Sequence, residues 1–68
     1  MDEKMKKCKF ELGVKLTDIV TGFAGIATAR CEYLTESPRY YLENMENNKL
    51  IAEWFDESRL RKCYSDEM

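Results

Sequence analysis

The stretch VTGFAGIATARCEYL, Val20 to Leu34, decides how the rest of the chain is read. Two glycines, Gly22 and Gly25, stand three residues apart just ahead of a strand-like run. Glycine reaches positive φ without a Cβ penalty, so the pair is expected to bracket a short connection that turns a first strand into a second. Beyond it, the alternation of a strand groups Ile26, Thr28, Arg30 and Glu32 on one face and Ala27, Ala29, Cys31 and Tyr33 on the other. Small residues on the second face imply close approach of another layer or another subunit. Phe23, between the glycines, has two readings: an aromatic lid on the open end of a small core, or a stacking surface for a ligand.

On the N-terminal side, Phe10, Leu12, Val14 and Leu16 alternate with more polar residues, which predicts a half-buried first strand. Its apolar phase breaks at Asp18-Ile19-Val20, as at a β-bulge or a strand end. On the C-terminal side, Ser37-Pro38 predicts a bend, and Pro38 can open the next strand without losing a ladder bond. Residues 39–43 form that strand, with Tyr40 and Leu42 opposite Arg39 and Tyr41. The turn NMENNK carries three Asn, which tolerate left-handed geometry, and leads to a fourth strand over residues 50–55. DESRL then reads as one helical turn capped by Asp56 and closed into the core by Leu60.

The lysine-rich residues 1–9 are expected to fray. Residues 61–68 read as a polar tail, loose or extending the last turn into a short helix. The domain proper is therefore residues 10–60. Its predicted class is mainly β: a small bent antiparallel sheet of four to five strands with a terminal helical turn, closing into a Src-homology-3-like barrel of the KOW or Tudor type. GVKLTDIVTGFAGIATA is similar to the KOW pattern, in which a first strand leads through glycines into an apolar second one.

A chain of 68 residues buries only about 60% of the surface its unfolded form exposes, so stability beyond the core has to come from elsewhere. Three cysteines, Cys8, Cys31 and Cys63, are an odd number without framework spacing, and no apolar leader follows the charged start, so a cytoplasmic protein with reduced thiols is expected. Without His or a C-x-x-C pair, a structural zinc site lacks its usual ligands. Self-association is the remaining route, and a homo-oligomer is the expectation.

Charge is divided along the chain. Residues 1–9 hold four lysines and two acids, for +2, whereas residues 10–60 hold five basic and nine acidic side chains, for −4. An acidic domain is a poor partner for a polyphosphate backbone, because such binding leans on neutralising many phosphates. No run reaches the roughly 18 apolar residues of a membrane helix.

Catalysis is poorly provided for. Glu53, Asp56 and Glu57 flank Trp54-Phe55, but acids beside a helical turn are ordinarily a solvated cap. Cys31 reads as a small apolar residue, and nothing supplies a base to a nucleophile, so no enzymatic activity and no cofactor are expected. Binding is better provided for. Arg30, Arg39, Arg59 and Arg61 offer forks for phosphate or carboxylate, and Tyr33, Tyr40, Tyr41, Trp54 and Phe23 offer flat faces for stacking. The competing reading pairs Arg59 with Glu53 or Asp56 and makes Trp54, Phe55, Tyr40 and Leu42 simply core.

Three segments taken together, LGVKLTDIVTGFAGIATARCEYLT, RYYLEN and AEWFDESRL, resemble a group of short proteins encoded by tailed phages and prophages. That group carries a V-T-G-F-x-G-I-x-T-A-R-x-E-Y-L core and an E-W-F-D-E-x-R-L ending. The likeness spans residues 12–60, with one departure: Glu36-Ser37-Pro38 stands where the group tends to carry a Gly-Cys pair. The resemblance implies a stoichiometric accessory protein in a bacterial cytoplasm, acting against host defence. Three modes of action are open. The first is an oligomer sequestering a small nucleotide-derived immune signal; the second is an anti-CRISPR-like inhibitor of a host defence protein or transcription factor. The third, KOW-type nucleic-acid binding, is disfavoured by the acidic domain.

Overall fold

The computed structural model describes residues 8–63. Five strands, β1 (Lys15–Asp18), β2 (Ala24–Cys31), β3 (Arg39–Glu46), β4 (Lys49–Asp56) and β5 (Leu60–Lys62), form one antiparallel sheet in the order β4-β3-β2-β1-β5. A single 3-10 turn, Glu57–Arg59, joins β4 to β5. The expected fold class stands: a small bent antiparallel sheet with one terminal helical turn. The ladder runs from β4 to β5 without closing on itself, so the sheet stays open and the expected closure into a barrel is not reached.

The first strand is shorter than its alternation predicts. Gly13 takes φ of +94°, which ends the extended run and leaves Leu12 exposed, while Phe10 turns inward as a core residue. The phase break at residues 18–20 is a turn rather than a bulge. Gly22, at φ +84°, donates its N–H to the Asp18 carbonyl at 2.8 Å, and Asp18 N–H reaches the Phe23 carbonyl at 2.8 Å. Gly25 does not bracket that turn: it lies inside β2, buried, where an added Cβ would meet the Glu43 carbonyl oxygen at 2.7 Å. Its missing side chain lets β2 and β3 approach.

The bulge falls one strand later. Ala27 pairs with Leu42 but Ala29 pairs with Tyr41, so Thr28 is the extra residue. This inverts the alternation expected for β2. Ala27 faces inward with Leu42, and after the bulge Ala29 and Cys31 face outward with Tyr41 and Arg39. Arg30 is carried to the inner side, opposite the buried Tyr40.

β3 runs on to Glu46 and meets β4 in unbroken register from Arg39 opposite Asp56 to Glu46 opposite Lys49. Asn47 and Asn48 make the two-residue turn, with φ of +51° and +64°, the pattern of a type I′ hairpin. Asp56 caps the 3-10 turn by accepting from Ser58 N–H, and Leu60 is buried, as read from DESRL. Residues 60–62 then pair with β1, so the start of the supposed polar tail is a strand. The remaining tail positions, 64–68 and 1–7, lie outside the described residues; Lys9, at the end of the supposed N-terminal tail, donates its N–H to Glu57 at 2.8 Å.

The core is Phe10, Leu16, Ala27, Tyr40, Leu42, Phe55 and Leu60, with Cys8, Val14 and Phe23 packed against it. Phe10 meets Tyr40 edge to face at 5.5 Å. The buried Tyr40 hydroxyl donates to Glu57 at 2.8 Å and accepts from Phe10 N–H at 3.2 Å, so its polar end is satisfied. Burial, with the Glu57 carboxylate adding to it, pushes that phenol far above its ordinary value.

Candidate functional site

One buried charge organises the turn end of the molecule. Asp18 is wholly buried and accepts from Arg59 Nε and Nη2, both at 2.8 Å, and from Thr21 N–H at 2.8 Å and Thr21 Oγ1 at 2.6 Å. The bidentate Arg59 fork, with Thr21, outweighs desolvation and holds the Asp18 carboxyl well below the usual carboxylate range. Arg59 in turn is pushed up by the same carboxylate and lies 5.7 Å over the Phe55 ring. Arg59 therefore pairs with neither Glu53 nor Asp56, and its fork is committed to β1. Phe23 stacks on Phe55 at 5.5 Å and 25°, the lid reading of that residue. Phe23, Phe55 and Arg59 help to line a groove of about 620 Å³ beside the β4 edge.

Arg30 is also committed elsewhere. Its Nη1 donates to the Phe10 carbonyl at 3.2 Å and its Nε lies 3.6 Å from Glu32. The bulge at Thr28 sends this side chain to the inner side of the sheet, away from the outward tyrosines.

The outer face of β2, β3 and β4 gathers the other three candidates. Arg39 lies 5.7 Å over the Tyr33 ring, and Tyr41 packs on Trp54 at 5.0 Å with the rings tilted by 43°. Cys31, Tyr33, Arg39 and Trp54 line a hollow of about 230 Å³. Trp54 is 48% exposed, so it is a rim residue of this face and not core. The Asp56 carboxyl, cross-strand from Arg39, is held down first by Ser58 and further by Ser37 and Arg39. The Tyr33 phenol is pushed up, chiefly by the adjacent Cys31 side chain. The hollow thus combines one cation and flat aromatic surface with the neutral Tyr33 phenol.

The same face continues toward the hairpin as an apolar strip. Ile26, Met45 and Leu50 are 40%, 60% and 61% exposed and, with Thr28, Glu43 and Asn44, line a second hollow of about 370 Å³. Thr28 Oγ1 donates to Glu43 there at 2.7 Å. Of the residues expected to bind, Arg39, Tyr33, Tyr41 and Trp54 share the outer face, Phe23 and Arg59 are together at the turn end, Arg30 is apart from both sets, Tyr40 is buried in the core and Arg61 lies on the edge strand β5. The Asp18–Arg59 pair has no signal in the sequence, whereas Trp54 is among the stacking faces that the sequence offers, and its exposure overturns the competing core reading.

All three cysteines are free and half-buried, and burial raises the Cys8 thiol. Among the described residues no three His, Cys, Asp or Glu side chains converge as metal ligands, and no helix is long and apolar enough to cross a membrane. Comparison with protein-family models, curated proteins and solved structures finds no match to this chain.

Proposed function

We propose that this chain is a non-enzymatic binding protein whose working surface is the outer face of β2, β3 and β4, and that its ligand is a small nucleotide-derived molecule. The observation that carries this reading is the hollow in which Arg39 lies over Tyr33 beside Trp54, with Tyr41 packed at a tilt on the Trp54 ring. A guanidinium fork suits a phosphate, and aromatic faces suit a base. The hollow is smaller than the roughly 300–1,000 Å³ pockets that enclose a drug-sized ligand, so it holds one end of such a molecule. The rest of the ligand needs a second wall, which self-association supplies. The resemblance to short phage and prophage proteins points the same way, toward sequestration of a nucleotide-derived immune signal in the host cytoplasm.

The test is a thermal-shift and calorimetric panel of linear and cyclic nucleotides against the protein and its Arg39→Ala variant. A ligand that binds only the folded state adds about 2.7 kcal/mol of apparent stability at one hundred times its Kd, and Arg39→Ala is expected to weaken binding about tenfold or more. Failure of every nucleotide to raise the melting temperature would sink this reading. A second reading, an inhibitor that docks on a host defence protein or transcription factor, draws on the exposed strip of Ile26, Met45 and Leu50. Its signature is co-purification with a host polypeptide and indifference to nucleotides. Binding to nucleic acid is the weakest of the three, given the −4 charge of residues 10–60.

A further inference from the structure

The two edges of the sheet are unequal. β5 is three residues long and carries Arg61 and Lys62, the short, basic form in which edge strands are usually guarded against pairing. β4 is eight residues long, has no Pro or Gly, pairs with β3 without a bulge, and carries its lysine only at the first position. Among the described residues it presents an extended edge with no strand paired to it and one mid-strand charge, Glu53.

The hairpin fixes which groups that edge offers. Across a two-residue type I′ turn the flanking residues, Glu46 and Lys49, are the hydrogen-bonded pair, and such pairs alternate along an antiparallel ladder. Lys49, Ile51, Glu53 and Phe55 therefore bond to β3, while Leu50, Ala52 and Trp54 direct N–H and C=O outward. The Met45 N–H, which this phase also leaves unused by β4, is taken by Asn44 Oδ1 at 2.8 Å. Side chains at the same even positions lie on the outer face, where Leu50 and Trp54 are 61% and 48% exposed.

We propose that the β4 edge pairs antiparallel with β4 of a second copy of this chain, with Ala52 opposite Ala52 on the two-fold axis. Only registers that set even positions opposite even positions satisfy the outward N–H and C=O groups. Centring on Glu53 would set two carboxylates face to face, which is destabilising. Centring on Ile51 shortens the overlap and leaves Trp54 opposite the turn residue Asn48. Centring on Ala52 places the smallest side chain of the strand on the axis and sets Leu50 opposite Trp54 twice. Each of the pairs 50–54, 52–52 and 54–50 then exchanges two N–H···O bonds. Lys49 falls diagonal to Glu53 of the second copy, within reach of its long side chain, so the charges at the ends of the overlap are complementary.

The outcome is a ten-stranded sheet whose two outer faces run together, with Leu50 of one copy beside the Trp54 that rims the other's hollow. The pairing supplies the geometry of the self-association invoked for the ligand site and does not depend on what the ligand is.

The experiment is sedimentation equilibrium of the full chain over a wide concentration range, with amide hydrogen exchange read by NMR. The expected result is a monomer–dimer equilibrium in which the Leu50, Ala52 and Trp54 amides slow as concentration rises. Ala52→Pro removes an outward donor but no bond to β3, since proline is tolerated on an edge whose N–H faces solvent. It should weaken the dimer about tenfold or more, the cost of the lost pair of bonds at the axis. Leu50→Glu, at an exposed position, provides a second variant with the same expected direction, and circular dichroism establishes that each remains folded. A monomer at every concentration overturns the proposal. So does a dimer indifferent to both substitutions, which would assign association to another surface. Edge amides protected only when a strand from a different protein is added would overturn it in favour of a foreign partner. Nucleotide binding is read separately, so loss of the dimer and loss of the ligand are distinguishable.

Discussion

Replacing Arg59 with Met should destabilise the fold by about 2–3 kcal/mol at pH 7, and the penalty should shrink as the pH falls. Removing one partner of a fully buried ion pair typically costs about 3–5 kcal/mol, because the other charge is left uncompensated. Here Asp18 is fully buried but the Arg59 side chain is 41% exposed, so water reaches the site from one side and the cost falls to the bottom of that range or somewhat below it. For a chain of this length, whose total stability is of order 3–10 kcal/mol, that is a large fraction. The pH dependence gives the sharper test. In the native protein the folded carboxyl titrates below its unfolded value near 3.9, so its contribution is present above about pH 4 and is lost as pH falls. In Arg59→Met the largest influence holding the carboxyl down is gone, so the folded carboxyl rises and protonation at lower pH relieves part of the penalty. Urea titrations at pH 7 and pH 4 measure both. The Asp56 carboxyl is held low chiefly by Ser58, which is present in both proteins, so most of its contribution is common to the two. A loss below about 1 kcal/mol at pH 7, or one equal at both pH values, would refute the reasoning that a buried, Arg-compensated charge organises this end of the fold.

Two further substitutions probe the backbone. Gly25→Ala drives a Cβ to 2.7 Å from the Glu43 carbonyl oxygen and 3.0 Å from its carbon, and main chain cannot swing aside. A loss of about 1–3 kcal/mol is expected by chemical denaturation, the ordinary cost of overpacking, and a neutral effect would show that β2 and β3 can part freely. Asn48→Gly should do the opposite. At φ +64° in a type I′ turn, Asn-Gly is the favoured pair, so a gain of about 0.5–1 kcal/mol in thermal unfolding is expected.

How far the fold was legible follows from which signals are local. Pro38, the Asn-rich turn and the alternation of Tyr40 and Leu42 marked β3 and β4 well, because turn chemistry and period-two burial are properties of a few adjacent residues. The Asp56 cap and the return of Leu60 to the core were legible for the same reason. The bulge at Thr28 was not: a β-bulge is defined by what stands opposite, and nothing around Thr28 differs from ordinary alternation. That single missed residue exchanged the faces of Arg30 and Cys31, and so put Arg30 opposite the buried Tyr40 instead of on the face of Tyr41. Gly25 was misplaced because a glycine needed for close approach has the same sequence signature as one needed for a turn.

The sequence by itself determined the class of the molecule: a small, mainly β domain, acidic between residues 10 and 60, with arginines and aromatics in excess of what its core uses. Tertiary structure alone decided which of those residues meet. Asp18 claims Arg59 across 41 positions of sequence, and β5 takes its place beside β1 instead of continuing as a tail. The reason is physical. Alternation and turn propensity act between neighbours, whereas register, edge exposure and the partner of a buried charge are set by where distant strands come to lie.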